Sequence, residues 1–255
     1  MTTRAESEYR YEKLTWPEIN QAIELGQVCV LPCGAIEQHG PHLPLFVDAE
    51  IGTRLGAEVA RRLGKAVVAP TVRVGCSEHH MSFAGTLTLK ESTFKAVCTD
   101  YCTSLARHGF KRIILLPSHG GNFKPLEEVL AEINVAVGSG CSVQAFTDLM
   151  EIVTVWKQTS DSICGLGDRV GGHADIAESS IMLALHPGLV DEAAADTGLV
   201  GELSQDLVER IMSDGMKSVT PNGILGDARG MSKELGERLI RATSDMIADR
   251  FRQAV

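Results

Sequence analysis

The chain has 255 residues, 44% of them hydrophobic and 22% charged, which suits one α/β domain with a large core. Its net charge of −9 is scattered along the sequence and argues against a nucleic-acid or anionic-membrane binder. No stretch reaches the roughly 18 apolar residues of a membrane span, the N-terminus lacks the apolar core of a signal peptide, and the seven cysteines, with no Cys-x-x-Cys pair, read as buried thiols of a reducing, cytoplasmic compartment.

Residues 1–13 are polar and are expected to be flexible. Thr15 is placed to cap a helix with Pro17 in its first turn. Val28-Cys29-Val30-Leu31-Pro32 is a buried-type strand that empties into Gly34-Ala35-Ile36-Glu37-Gln38-His39-Gly40-Pro41-His42. A helix follows over Asp48–Leu63, ended by Gly64, then a short strand over Ala66–Pro70. Glu78-His79-His80 precedes a turn at Phe83-Ala84-Gly85-Thr86, and the next helix, Ser92–Arg107, closes at Gly109. Ile113–Leu116 is again a strand, running into Ser118-His119-Gly120-Gly121-Asn122 and a helix to Val137 with Leu126, Val129, Leu130 and Ile133 at helical spacing. A strand over Ser142–Thr147 comes next. Gly171-Gly172 reads as a loop that delivers His173 to a helix start, with Glu178 one turn further on. The pattern is weak from Val190 to Pro221, apart from a helix over 202–212, and an amphipathic helix over Ser232–Arg252 ends the chain. Short apolar strands alternating with helices predict a mainly parallel sheet covered on both faces. The expected fold is therefore a single-domain three-layer α/β/α sandwich over residues 14–255, with ligands beyond the C-terminal ends of its strands.

The chemistry gathers at those ends. Glu37 and His39 are two apart, so on extended backbone they point the same way, and Asp48 can return to them after the Pro/Gly turn. Glu, His and Asp together suit a borderline divalent ion such as zinc or manganese. His119 sits on a glycine-rich loop ahead of a helix N-terminus, where backbone N–H groups can approach an anion. Each segment alone also has an ordinary reading as a polar loop rim, a strand-to-helix turn or a capped core helix. His108 and His186 fall at predicted helix C-termini and read as structural. His42 reads as a support behind the ligands, and nothing in the spacing selects among Arg73, Lys124 and Arg169 as contacts for an anionic substrate.

Taken together, Gly34–Leu45 with Asp48, His80–Leu87, Ser118–Asn122, His173-Ala174-Asp175 with Glu178, and Gly226–Ser232 with Gly236 resemble the creatininase (creatinine amidohydrolase) family from about Leu14 to Phe251. The resemblance implies a hydrolase with two divalent ions per chain (zinc, manganese or iron). Glu37, Asp48 and His119 would hold one ion and His39, Asp48 and Glu178 the other. A hydroxide shared by the ions would attack a cyclic or linear amide of a small molecule. Gly120 and Gly121 would offer N–H groups to the oxyanion, Glu178 or His173 would carry the proton, and Glu78 and His80 would contact the substrate. A homohexamer is implied as well. Within the family, the alternatives are a keto-sugar (inosose-type) ring or the end of a modified peptide; outside enzymes, the alternative is a metal-binding assembly protein without catalysis. Three departures bear on the choice. Creatininase carries an acidic ligand two residues after the loop His, where this chain has Gly121. It has a Trp shortly before the residue that matches His173, where Gly167-Asp168-Arg169-Val170 has none, and its Phe-Pro-Gly-Thr becomes Phe83-Ala84-Gly85-Thr86. The chain is therefore expected to be a poor creatininase.

Overall fold

The computed structural model describes residues 9–201 and 204–252. Residues 1–8 of the segment expected to be flexible, and Glu202 and Leu203 at the start of an expected helix, lie outside these. Helix α1 (Trp16–Glu24) begins where Thr15 and Glu18 cap each other reciprocally. Strand β1 (Val28–Cys33) then enters the centre of a four-stranded sheet, between β2 (Ala66–Val68) and β3 (Arg112–Pro117), with β4 (Ser142–Ala145) beyond β3. All pairings are parallel, and Val30 lies opposite Val68 on one side and Ile114 on the other.

The period of two along each strand divides its side chains between two cores. Val30, Ile114 and Leu116 face helices α2 (Val47–Leu63), α5 (Leu149–Cys164), α6 (Ile176–Leu185) and α8 (Lys233–Arg252), against Leu55, Trp156, Ile181 and Leu239. Cys29, Leu31, Ile113 and Leu115 face α1, α3 (Glu91–His108) and α4 (Phe123–Val137), against Ile19, Phe94, Cys98 and Leu126. A near-continuous apolar strand between two helical layers is what the alternation of elements predicts. Every cysteine is a free thiol, and Cys29, Cys33, Cys76, Cys98 and Cys102 are buried.

The structure differs locally from the sequence reading at four places. Val170–His173 is a strand, β5, not a glycine loop; it pairs antiparallel with β6 (Leu225–Gly226). A Cβ on Gly171 would lie 2.4 Å from the Leu225 carbonyl carbon, so the glycine is what lets the two backbones meet. Strand β4 stops at Ala145, and helix α7 runs over Gln205–Asp214, starting where Ser204 accepts from the Leu207 N–H. At the other end of the chain, the Tyr9 carbonyl accepts from the Val68 N–H at 2.6 Å, so residue 9 joins the exposed edge of β2. Among the described residues no helix is long and apolar enough to cross a membrane.

Helix α8 lies directly on α6. A Cβ on Gly236 would lie 2.0 Å from the Ser180 carbonyl oxygen, so this contact needs a residue without a side chain. Gly236→Ala is expected to lower stability by roughly 1–3 kcal/mol through overpacking, outweighing the gain of about 1 kcal/mol in helix propensity. Urea unfolding checks this; an unchanged or higher midpoint would show that the helices separate without cost.

Candidate metal centre

The C-terminal ends of β1 and β3 are side by side, Cys33 opposite Pro117. The chain leaving β1 supplies Glu37 and His39; the chain leaving β3 supplies His119. Asp48 is the second residue of α2 and Glu178 the third of α6, so both carboxylates sit where a helix N-terminus favours negative charge. Two buried side chains hold these segments in place. Asn122 donates to the carbonyls of Cys33 and Gly34 and accepts from the Cys76 N–H, tying three loops together. Asp175 accepts from the N–H groups of Gly171 and Gly172 through one oxygen, and from those of Ala177 and Glu178 through the other. That clamp turns β5 into α6 through Ala174, the one non-glycine residue among those described with a positive φ, +51°. The Ala174 N–H in turn donates to Glu178 Oε2 at 2.5 Å.

The result is two buried ligand sets that share Asp48: Glu37, Asp48 and His119, and His39, Asp48 and Glu178. His119 Nδ1 lies 3.3 Å from Glu37 Oε1 and 3.4 Å from Asp48 Oδ2. His39 Nε2 lies 3.4 Å from Asp48 Oδ1 and 3.6 Å from Glu178 Oε2. An ion at about 2.1 Å from each of its ligands, in tetrahedral geometry, holds those ligands about 3.4 Å apart. Both Glu37 oxygens, His39 Nε2 and Asp48 Oδ2 are buried and have no hydrogen-bond partner among the described residues. Orphaned acceptors of this kind are costly in a protein interior, and a cation removes the cost. The outer nitrogens match as well: His39 Nδ1 lies 3.1 Å from the Glu37 carbonyl and His119 Nε2 3.0 Å from that of Cys76. Each carbonyl takes the ring proton and leaves the opposite nitrogen free as a ligand. The donor set therefore fits two divalent ions.

Electrostatics separates these groups. Burial disfavours charge on His39, but Asp48 and Glu178 outweigh it and push the imidazole up to about 10. His119 is raised in the same way by Glu37 and Asp48, against its burial. Burial would raise Asp48; His39 and His119 instead hold it below the usual carboxylate range. Glu178 goes the other way: burial pushes it up to about 8, although His39 opposes the shift. His173 and His80 are held well below the ordinary histidine range, by burial first and then by neighbouring imidazoles.

All five expected ligands thus converge, and His173 joins them, its Nδ1 3.8 Å from Glu37 Oε1 and its Nε2 2.9 Å from the Gln38 carbonyl. His80 is buried, with Nε2 3.3 Å from Glu37 Oε1. Gly120 lines a cavity of about 70 Å³ that opens on Asp48, His119, His173 and Glu178. Gly121 instead packs beneath Cys76: a Cβ there would lie 2.1 Å from the Cys76 carbonyl oxygen and 2.6 Å from His119 Nε2, so no acidic side chain fits at this position. Glu78 is not among the residues that line this cavity. It is exposed, because the tight turn Glu78–His80 sends His79 and His80 inward and Glu78 out. Arg73 and Lys124 are also exposed, and Arg169 is occupied by Asp227 and the Arg229 carbonyl.

The sequence reading missed two contributors, Gln38 and Trp156. Gln38 donates through Nε2 to His80 Nδ1 at 2.9 Å and to the Gly223 carbonyl at 3.2 Å, and accepts from the Gly40 N–H. Alternation on an extended strand points it away from its neighbours Glu37 and His39, which is why a Glu-x-His pattern passes over it. The His79 ring lies parallel to that of His119, 5.6 Å away, in the space beside Gly121. Trp156 reaches the cavity wall from α5, eleven residues before the stretch Gly167–Val170. His42, expected behind the ligands, bonds Ser179, the neighbour of Glu178, at 2.7 Å.

The sequence profile of the family described as Creatininase: Creatinine amidohydrolase matches residues 12–251. The creatinine amidohydrolase of Pseudomonas putida is 30% identical over 255 residues, covering 94% of this chain and 95% of its own. The mycofactocin precursor peptide peptidase of Mycobacterium ulcerans (strain Agy99) is 29% identical over 247 residues, covering 93% of this chain and 85% of its own. A solved structure named "Creatininase Mn" superposes with a TM-score of 0.78 at 28% identity, covering 97% of this chain and 98% of that one.

Two measurements test the centre. After dialysis against zinc or manganese, elemental analysis is expected to find two ions per wild-type chain, none in Asp48→Ala and one in Glu178→Gln; one ion or fewer in the wild type would sink the assignment. Ion binding is also expected to release protons. In the metal-free centre His39 (about 10) and His119 are protonated at neutral pH and Glu178 (about 8) largely so, hence affinity rises with pH and falls in acid. Calorimetry in buffers of different ionisation heat should find about three protons released per chain; no release would mean that other groups hold the ions.

Proposed function

The chain belongs to the creatininase family, and we propose that it is a metal-dependent amidohydrolase with two divalent ions (zinc, manganese or iron), acting on an amide bond of a small molecule. The observation that supports this most is the pair of buried ligand sets sharing Asp48 at the mouth of a cavity. Divalent ions in these sets would acidify water and polarise a carbonyl. The protein's own groups do the rest. Asp48, on the first turn of α2, presents one oxygen to each ligand set. Gly120, in the cavity wall, offers its N–H to a developing oxyanion. His173 or Glu178 carries the proton to the leaving group: the His173 Nε2–H is spent on the Gln38 carbonyl and its Nδ1 is grouped with Glu37 and His39, while Glu178, pushed up to about 8, is grouped with His39 and Asp48. His80, fixed by Gln38, lies beside Glu37, its Nε2 3.3 Å from Oε1.

In this reading residues 14–255 form one catalytic domain that works in the cytoplasm as a homohexamer, and the free buried thiols are in keeping with a reducing compartment. Creatinine is not the preferred substrate. Trp156 lies in the wall, but it is buried and its Nε1 donates to Thr243 at 2.9 Å, which ties it into the core.

A substrate panel tests this reading: linear and ring amides, formamides, peptide ends and keto-sugars, with creatinine as the comparison and manganese or zinc added. At least one amide is expected to exceed creatinine by roughly tenfold or more, the size of a lost ring-stacking contact. A chelator should abolish turnover and the added ion restore it. Creatinine as the best substrate, or no turnover of any amide by the metal-loaded protein, would overturn the proposal.

A further inference from the structure

The cavity on the centre has two unlike sides. One carries Asp48, His119, His173 and Glu178, all engaged in the ligand sets or beside them. The other is formed by Ile51 and Leu55 of α2, Phe123 of α4, and Leu149, Val153 and Trp156 of α5. The polar groups on this second side are already committed: the Ser118 hydroxyl donates to the Asp48 carbonyl at 2.7 Å and the Trp156 N–H to Thr243. No Lys or Arg lines the cavity. A charged or strongly polar substituent placed here would lose its hydration with nothing to replace it. An apolar one would gain, because a small cavity walled by aliphatic and aromatic side chains is poorly hydrated. Size sets the other limit. An apolar cavity of about 150 Å³ takes a six-carbon ring, so one of about 70 Å³ admits only a smaller group.

We infer that the substrate carries a compact, uncharged aliphatic group of about three to five carbons beside its scissile amide, seated against Leu55, Leu149, Val153 and Trp156. The inference rests on the amidohydrolase reading and narrows its substrate class. It excludes substrates that place a carboxylate, an ammonium or a large flat ring against this wall.

The test uses the manganese-loaded full chain and two homologous series. One varies the acyl group of N-methyl amides (acetyl, isobutyryl, isovaleryl, succinyl); the other varies the amine of formamides (methyl, isobutyl, 2-aminoethyl). Each buried methylene is worth about fourfold, so kcat/KM should rise on the order of fiftyfold from the smallest to the branched member in one series, and the charged members should fall below the smallest. Binding is measured separately by calorimetry with acetohydroxamate, isovalerohydroxamate and succinohydroxamate. Turnover of amides with no aliphatic preference in either series overturns the inference and leaves the amidohydrolase reading intact. Absence of all turnover, with isovalerohydroxamate still bound at least tenfold more tightly than the other two, overturns that reading and leaves the cavity assignment standing. No preference in turnover or binding overturns the inference outright. Val153→Phe, which fills the cavity, should erase the preference while the ion content stays at the wild-type value; Leu149→Phe, at the partly buried rim, serves if Val153→Phe does not fold. Retention of the preference in the folded variant would place the aliphatic group elsewhere and overturn the inference.

Discussion

Three carboxylates, Glu37, Asp48 and Glu178, are buried together with the imidazoles of His39, His119, His80 and His173, and several of their lone pairs meet no donor. A protein interior tolerates such a cluster only if cations or protons neutralise it. Much of the surrounding architecture serves that constraint. Parallel strands bring two loops out at one edge, helix N-termini supply partial positive charge to Asp48 and Glu178, and Asn122 and Asp175 lock the backbone that carries the ligands.

Around the ligands, hydrogen bonds decide which nitrogen of each ring is free. The carbonyls of Glu37 and Cys76 take the outer protons of His39 and His119. Gln38 lies 2.9 Å from His80 Nδ1 and fixes that ring beside Glu37. The same arrangement keeps His173 and His80 neutral beside groups that are held charged. Rings of both kinds within a few ångströms of each other are what a site needs if some must bind ions while another moves a proton.

The family settles the chemistry more firmly than the substrate. Relatives of nearly equal similarity are named for different reactions, a creatinine amidohydrolase at 30% identity and a peptide peptidase at 29%. Such divergence is expected when the ions and their ligands do the bond breaking and the wall facing them selects the molecule. In this chain that wall is aliphatic and aromatic and comes mainly from α2 and α5, of which Asp48 alone belongs to the segments that resemble the family.

The sequence by itself determined the alternation of strands and helices, the two-faced sheet and the convergence of Glu37, His39 and His119. These depend on short-range periodicity and on the rule that parallel strands gather their loops at one edge. The position of Asp48 was also legible, since only a turn separates it from the strand end. Tertiary structure alone decided the rest. Glycines hid β5, because their lack of side chains both erases the hydrophobic pattern and permits the close pairing with Leu225. Gly121 offered no sign that the Cys76 carbonyl fills the space an acidic ligand would need. Glu78 and His80 looked equivalent until a tight turn put one outside and one inside. The reach of Trp156 to the cavity and of Gln38 to Gly223 joins residues far apart in the chain, and such contacts depend on how helices and loops pack, which no local periodicity encodes.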